Sequence, residues 1–316
     1  MRGRWAVLLL CGLALSGCPK KKPAAVVSSK VTIFVSVPPL VYLVDQLRWD
    51  GVTVRTLLEE GQAPALEVPT EGRVAAAAQA DMVFRVGLPF EDKVVAQIEA
   101  KGDTPVVDLR QGVDLLDIPG GGGYDPHIWL DPRNAMVMAR TISEALIALD
   151  ARRERLVKKN LTALMAALKV LDRELEFSLT ANKGARLFAS HGAFAYLCKR
   201  YGLRHSALHW QGQLPGKEAY APFIQQVVAQ GNRVLFIQRS MTSETLQTAA
   251  RGAGVTLVAM DPLARDIPGS LRQMVASMRE MLVPPAPDGP AGMPPMPGGP
   301  PPMPGGPPPL PGGPPP

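Results

Sequence analysis

Only four histidines occur among the 316 residues, and two of them stand in unusual settings. His127 lies in Tyr124-Asp125-Pro126-His127-Ile128-Trp129-Leu130-Asp131-Pro132, directly after the glycines 120–123. His191 follows the strand-like Leu187 to Ser190 and precedes Gly192-Ala193-Phe194. A carboxylate, Asp261, stands in Met260-Asp261-Pro262-Leu263 at the end of another strand-like run. Two imidazole nitrogens and a carboxylate oxygen form a borderline donor set that suits Zn²⁺, Mn²⁺ or Fe²⁺. Spacing alone carries little weight, because 64 and 70 residues separate the three. A loop histidine most often only hydrogen-bonds, and aspartate before proline is a common turn or cap residue. Other chemistries find less support: there is no HExxH, no CxxC, no G-x-S-x-G elbow and no Walker-type loop.

For the three to act together, the fold must converge them. Val31 to Val37, Val52 to Leu58, Ala80 to Gly87 and Thr104 to Leu109 read as strands, with helix-length segments between them. Arg186 to Ser190, Leu203 to Leu208, Arg233 to Ile237 and Val255 to Met260 repeat the pattern in the second half. Strands alternating with helices predict βαβ units, parallel sheets and right-handed crossovers. The expected fold class is α/β: two lobes, at 30–132 and 181–283, each with about four parallel strands. His127, His191 and Asp261 then fall at strand carboxyl ends or in loops, the edge where open α/β sheets bind ligands. Between the lobes, 133–180 has neither proline nor glycine until Gly184, and leucines recur at three- and four-residue intervals from Ile142 to Leu171. This predicts one long amphipathic linking helix, or two with a small break near Asp150. As a single rod it would reach about 68 Å.

The ends are of different composition. Arg2 and Arg4 precede an apolar run from Ala6 to Gly17, the layout of an export signal over 1–17. Leu15-Ser16-Gly17-Cys18 looks like a bacterial lipobox, which makes Cys18 the expected lipidation site and 18–29 a tether. Acyl chains with Lys20 to Lys22 give a two-signal membrane anchor. Setting aside Arg2, Arg4 and those lysines takes the formal charge from +6 to +1, so the basic balance is no argument for nucleic acid. Cys198 is then the one thiol of the folded body and reads as a core residue. Eighteen of the 33 prolines follow Val283, and Pro/Gly repeats of this density over 284–316 predict an extended, coreless spacer.

Asp125-Pro126-His127-Ile128-Trp129-Leu130-Asp131-Pro132 resembles the DPH-x-W-L-DP motif of the zinc and manganese solute-binding proteins of ABC importers. Ser190 to Tyr196 with Tyr201-Gly202-Leu203 resembles the family's second histidine segment, and Met260 to Leu263 its final ligand segment. Gly87 and Glu91 match a G-x-x-x-E stretch. The resemblance runs from about Val31 to Leu282. It implies two lobes bridged by a rigid helix, one Zn²⁺ or Mn²⁺ carried as transported ligand between them, and His127, His191 and Asp261 as its ligands. It also implies an ABC permease as partner, membrane lipid through Cys18, and an exported protein at the periplasm or cell surface; a monomer is expected. Three departures stand out. Ala65 occupies the family's first histidine position, Gln238 stands where a glutamate is frequent, and four glycines replace a histidine-rich loop.

A methyl group cannot coordinate metal. Three protein donors leave one position open, and Glu67, two residues past Ala65, is the candidate that would fill it; His205 and His209 are spare donors that read first as surface or packing histidines. Weaker or altered metal binding is therefore expected. The alternative is a relative that has lost the metal and serves as a structural or adhesive envelope lipoprotein. A metalloenzyme using the open position is a third reading. No general base stands beside His127 or His191 in sequence, so an enzyme is not expected.

Overall fold

The computed structural model describes residues 30–210 and 214–283. The expected export signal, Cys18, the tether and the Pro/Gly tail lie outside the described residues. All eight expected strands are present. Strands β1 (Val31–Val35), β2 (Val52–Thr56), β3 (Met82–Arg85) and β4 (Val106–Asp108) form one sheet in the order β2-β1-β3-β4. Strands β5 (Arg186–His191), β6 (Arg204–His209), β7 (Val234–Ile237) and β8 (Thr256–Ala259) form the other in the order β6-β5-β7-β8. Every pairing is parallel. The β1 sequence explains its place: Val31, Ile33, Phe34 and Val35 are all buried, as both faces of a parallel sheet require.

Helices α1 (Pro38–Leu47), α2 (Glu71–Ala77) and α3 (Glu91–Glu99) belong to the first lobe. The segment between the lobes is not one rod of 68 Å. It is two helices, α4 (Pro132–Leu149) and α5 (Glu154–Ser178), packed against each other. The break falls where sequence marked it. Asp150 leaves helical geometry, at φ −143° and ψ 93°, and its carboxylate caps the next turn by accepting from the Arg152 N–H at 3.1 Å. Leucine spacing cannot signal such a break, because the apolar stripe continues through the fold-back.

The bridging element is therefore α5, of 25 residues, about 37 Å long. Leu164, Leu168, Leu171 and Leu175 form its buried stripe. Near its start, Asn160 donates to the Leu47 carbonyl of α1 at 3.3 Å. Further on, Asp172 accepts from Arg200 at 2.6 Å; Arg200 ends α6 (Ala195–Arg200) in the second lobe. The second lobe adds α7 (Tyr220–Ala229) and α8 (Glu244–Gly252). The final helix, α9 (Ile267–Met281), packs on α5, and Arg265 just before it pairs with Asp45 of α1 at 3.0 Å. One helix tied to both lobes, and one return segment clasping the first, leave little freedom for a wide hinge.

Glu91 shows why the G-x-x-x-E stretch is needed. Its carboxylate accepts from the Val86 N–H at 3.1 Å and the Gly87 N–H at 2.6 Å, and it is buried. Gly87 has φ +88°, and a Cβ there would meet the Arg110 guanidinium at 2.5 Å. Burial pushes the Glu91 carboxyl above its ordinary range, while these N–H groups pull it down. Glu91→Ala leaves the buried Val86 N–H and the half-buried Gly87 N–H without acceptors. We expect a loss of about 1–3 kcal/mol in stability by urea unfolding; an unchanged midpoint would contradict this role.

Candidate metal centre

In each sheet the connections leave the inner pair of strands in opposite directions, between β1 and β3 and between β5 and β7. At such a switch point the loops part and leave a crevice beyond the strand carboxyl ends. A small cavity lies there. Its volume is ≈ 10 Å³, about what one water or ion needs. Its walls come from loops that follow strands of both sheets: Ala65 after β2, Leu88 after β3, His127 after β4, Gln238 after β7 and Leu263 after β8, with His191 at the end of β5. The fold thus brings His127 and His191 together across the lobes. Their ring centroids are 5.2 Å apart, and both residues are buried.

His127 is held by the motif around it. The Asp125 Oδ1 accepts from the His127 backbone N–H at 3.0 Å and lies 2.6 Å from its Nδ1. A carboxylate is an acceptor, so Nδ1 carries the hydrogen and Nε2 keeps the free lone pair. A carboxylate behind a ligating imidazole orients the ring and raises its basicity. The loop is fixed further by cross-lobe bonds. Tyr196 of α6 donates to the Asp125 carbonyl at 3.1 Å and accepts from the Leu116 N–H at 3.0 Å. The Trp129 Nε1–H donates to the Pro262 carbonyl at 2.8 Å. The second-lobe motif around Asp261 is therefore anchored by the first-lobe motif around His127.

Asp261 itself stands apart from the histidine pair. It is exposed and lines a neighbouring cavity of ≈ 360 Å³, which shares the Gln238 wall. Its Oδ1 accepts from the Leu263 N–H at 2.9 Å. Glu67 is turned into its own loop, accepting from the Ala63 N–H at 2.8 Å and from Gln62 at 2.7 Å. Among the described residues, no three His, Cys, Asp or Glu side chains converge as a ready-made metal cage.

The sequence leaves His205 and His209 as spare donors, read first as surface or packing histidines. Both residues are half-buried, with their ring nitrogens shielded from solvent. Both lie on one face of β6, and His209 is the register partner of His191, with ring centroids 5.0 Å apart. The signal was present: positions 205 and 209 share a strand face, and a parallel neighbour carries His191 at its end. Burial lowers the pKa of His205 and His209 to about 4 and holds His191 well below its usual value. The three are neutral at pH 7, the form that coordinates metal. A folded pKa below the unfolded one gives stability that is complete above about pH 6.5 and is lost as pH falls toward 4. The metal-free protein should show a melting temperature that falls steadily over that window; a flat profile between pH 6.5 and 5 would contradict the burial of these imidazoles.

Residues 33–282 match the family ZnuA, described as zinc-uptake complex component A, periplasmic. The chain belongs to this family. It is 24% identical over 267 residues to the iron ABC transporter substrate-binding lipoprotein MtsA of Streptococcus pyogenes, covering 80% of this chain and 84% of that one. It is 24% identical over 272 residues to the manganese ABC transporter substrate-binding lipoprotein PsaA of Streptococcus anginosus, covering 81% and 88%. A crystal structure of ZnuA superposes with a TM-score of 0.74 at 25% identity, covering 80% of this chain and 99% of that one. The two four-stranded parallel sheets flanked by helices are thus the family's architecture, and the family is one of metal-binding solute receptors of ABC transporters.

Proposed function

We propose that the chain captures a divalent transition metal, zinc before manganese, and hands it to an ABC permease. The observation that carries this reading is the buried pair His127–His191, drawn from two lobes to the carboxyl edges of both sheets, with Asp125 fixing the free lone pair of His127. Imidazole donors favour zinc over manganese, which prefers oxygen. Asp261 is the oxygen donor that a closing movement of its loop would add; Glu67 remains the weaker candidate, since its oxygens are engaged. The protein is exported and held at the membrane by lipid on Cys18, acts as a monomer, and performs no catalysis. Calorimetric titration of the purified, metal-free protein with Zn²⁺ and Mn²⁺ tests the reading. Micromolar or tighter zinc binding at one site is expected; binding of neither ion below millimolar would refute it.

A further inference from the structure

Helix α5 carries two apolar stripes, and the core accounts for only one. Leu164, Leu168, Leu171 and Leu175 face inward. Leu156, Ala163, Val170 and Phe177 stand seven residues apart on the outer side, and all four are exposed, Val170 at 60% and Phe177 at 84%. A seven-residue step returns to nearly the same angle of a helix, so they form one line along it. Lys159, Ala166 and Arg173 fall between them on that line and are exposed too. Arg155 and Lys169 border it on one side. Among the described residues, none of these four cations has an ion-pair partner. On the other border Glu174 is taken by Arg272 of α9 at 2.8 Å, and Glu176 lies further round the helix. A merely solvated helix gains from opposite charges at i and i+4. Here Arg155 with Lys159, and Lys169 with Arg173, set like charges at that spacing. Apolar and cationic side chains together on one helix face suit an anionic surface with an apolar interior.

We propose that the outer face of α5 rests on the anionic lipid headgroups of the membrane. The inference goes beyond metal capture, and it rests on the lipid-anchor reading for what brings the body to that surface. The chain enters the fold beside the start of this helix. The Val31 N–H donates to the Gly51 carbonyl at 3.0 Å, Asn160 donates to the Leu47 carbonyl at 3.3 Å, and the Arg153 guanidinium lies 5.8 Å from the Trp49 ring centroid. Twelve residues lead from Cys18 to Lys30, a span of at most about 43 Å, so the anchor keeps α5 within reach of the bilayer. A second copy of the chain fits the face poorly. In an antiparallel pair centred on Ala166, Lys159 meets a second Arg173, and in a parallel pair each cation meets its own copy. Headgroup phosphates meet the same cations with opposite charge, while Leu156, Val170 and Phe177 reach the acyl boundary. Because α5 is tied to both lobes, the receptor lies lengthwise on the membrane that holds its permease.

A nitroxide at position 166 reads the contact. The whole exported protein carries it on Ala166→Cys, since Cys198 is buried and does not take the label. It is mixed with vesicles of phosphatidylglycerol or of phosphatidylcholine alone. On phosphatidylglycerol at low salt the nitroxide should be shielded from a water-soluble relaxation agent; on phosphatidylcholine it should stay open to it. Lys159→Gln, Lys169→Gln and Arg173→Gln combined should weaken the shielded state by at least about tenfold, since each cation near an anionic surface is worth about fivefold. All three are exposed helix positions, and glutamine is a good helix former, so the variant keeps its fold. Equal exposure on both vesicles would overturn the proposal. So would shielding in solution without vesicles, the result for self-association. Flotation with phosphatidylcholine vesicles tests the lipid anchor separately: a protein that stays behind refutes the anchor, while the nitroxide on phosphatidylglycerol still decides the role of α5.

Discussion

His127→Ala is expected to weaken zinc binding by more than about 100-fold, judged against the about 10–100-fold cost of losing only a partner behind a ligand. The effect should be this large because His127 is the one donor fixed in advance. Its backbone N–H and its Nδ1 both address Asp125, and Tyr196 holds that loop from the other lobe. Removing the ring deletes the donor and strands the Asp125 carboxylate, whose Oδ2 is already buried without a partner. Glutamine at 127 keeps a polar group but no imidazole lone pair in the same place, so it should not rescue binding. His127→Ala with undiminished zinc affinity in calorimetry would show that the ion is held elsewhere.

Ala65→His is the second large effect, and its sign is opposite. Position 65 lines the cavity with His127 and His191, so an imidazole there meets the same space from the first lobe. Zinc binding should tighten by at least about tenfold, the lower end of what ligand-shell changes produce. A neutral or weakening effect would mean that the cavity has closed over position 65 and no longer admits a donor from that side.

How much of this was legible in the sequence follows from which forces act locally. The eight strands were, because their β-branched apolar runs are bounded by turns and helices. The fold-back at Asp150 was only half legible. The stripe from Ile142 to Leu171 stays in phase across it, while the capping by Asp150 depends on a geometry that periodicity does not carry. The pairing of His127 with His191 was legible through motif order and the rule that loops after strands build the site. Asp261 was placed by the same rule, but the structure sets it in the adjoining cavity. Glu67 was chosen for closeness in sequence to Ala65, and the structure spends both its oxygens on its own loop. His205 and His209 stayed in the background because their place depends on register: only the pairing of β5 with β6 sets His209 beside His191.

A zinc-soaked crystal measured at the zinc absorption edge examines the arrangement most directly. An anomalous peak about 2.0–2.1 Å from the His127 Nε2 and from a ring nitrogen of His191 is the predicted result. A peak bonded to neither ring, or none at saturating zinc, would contradict it.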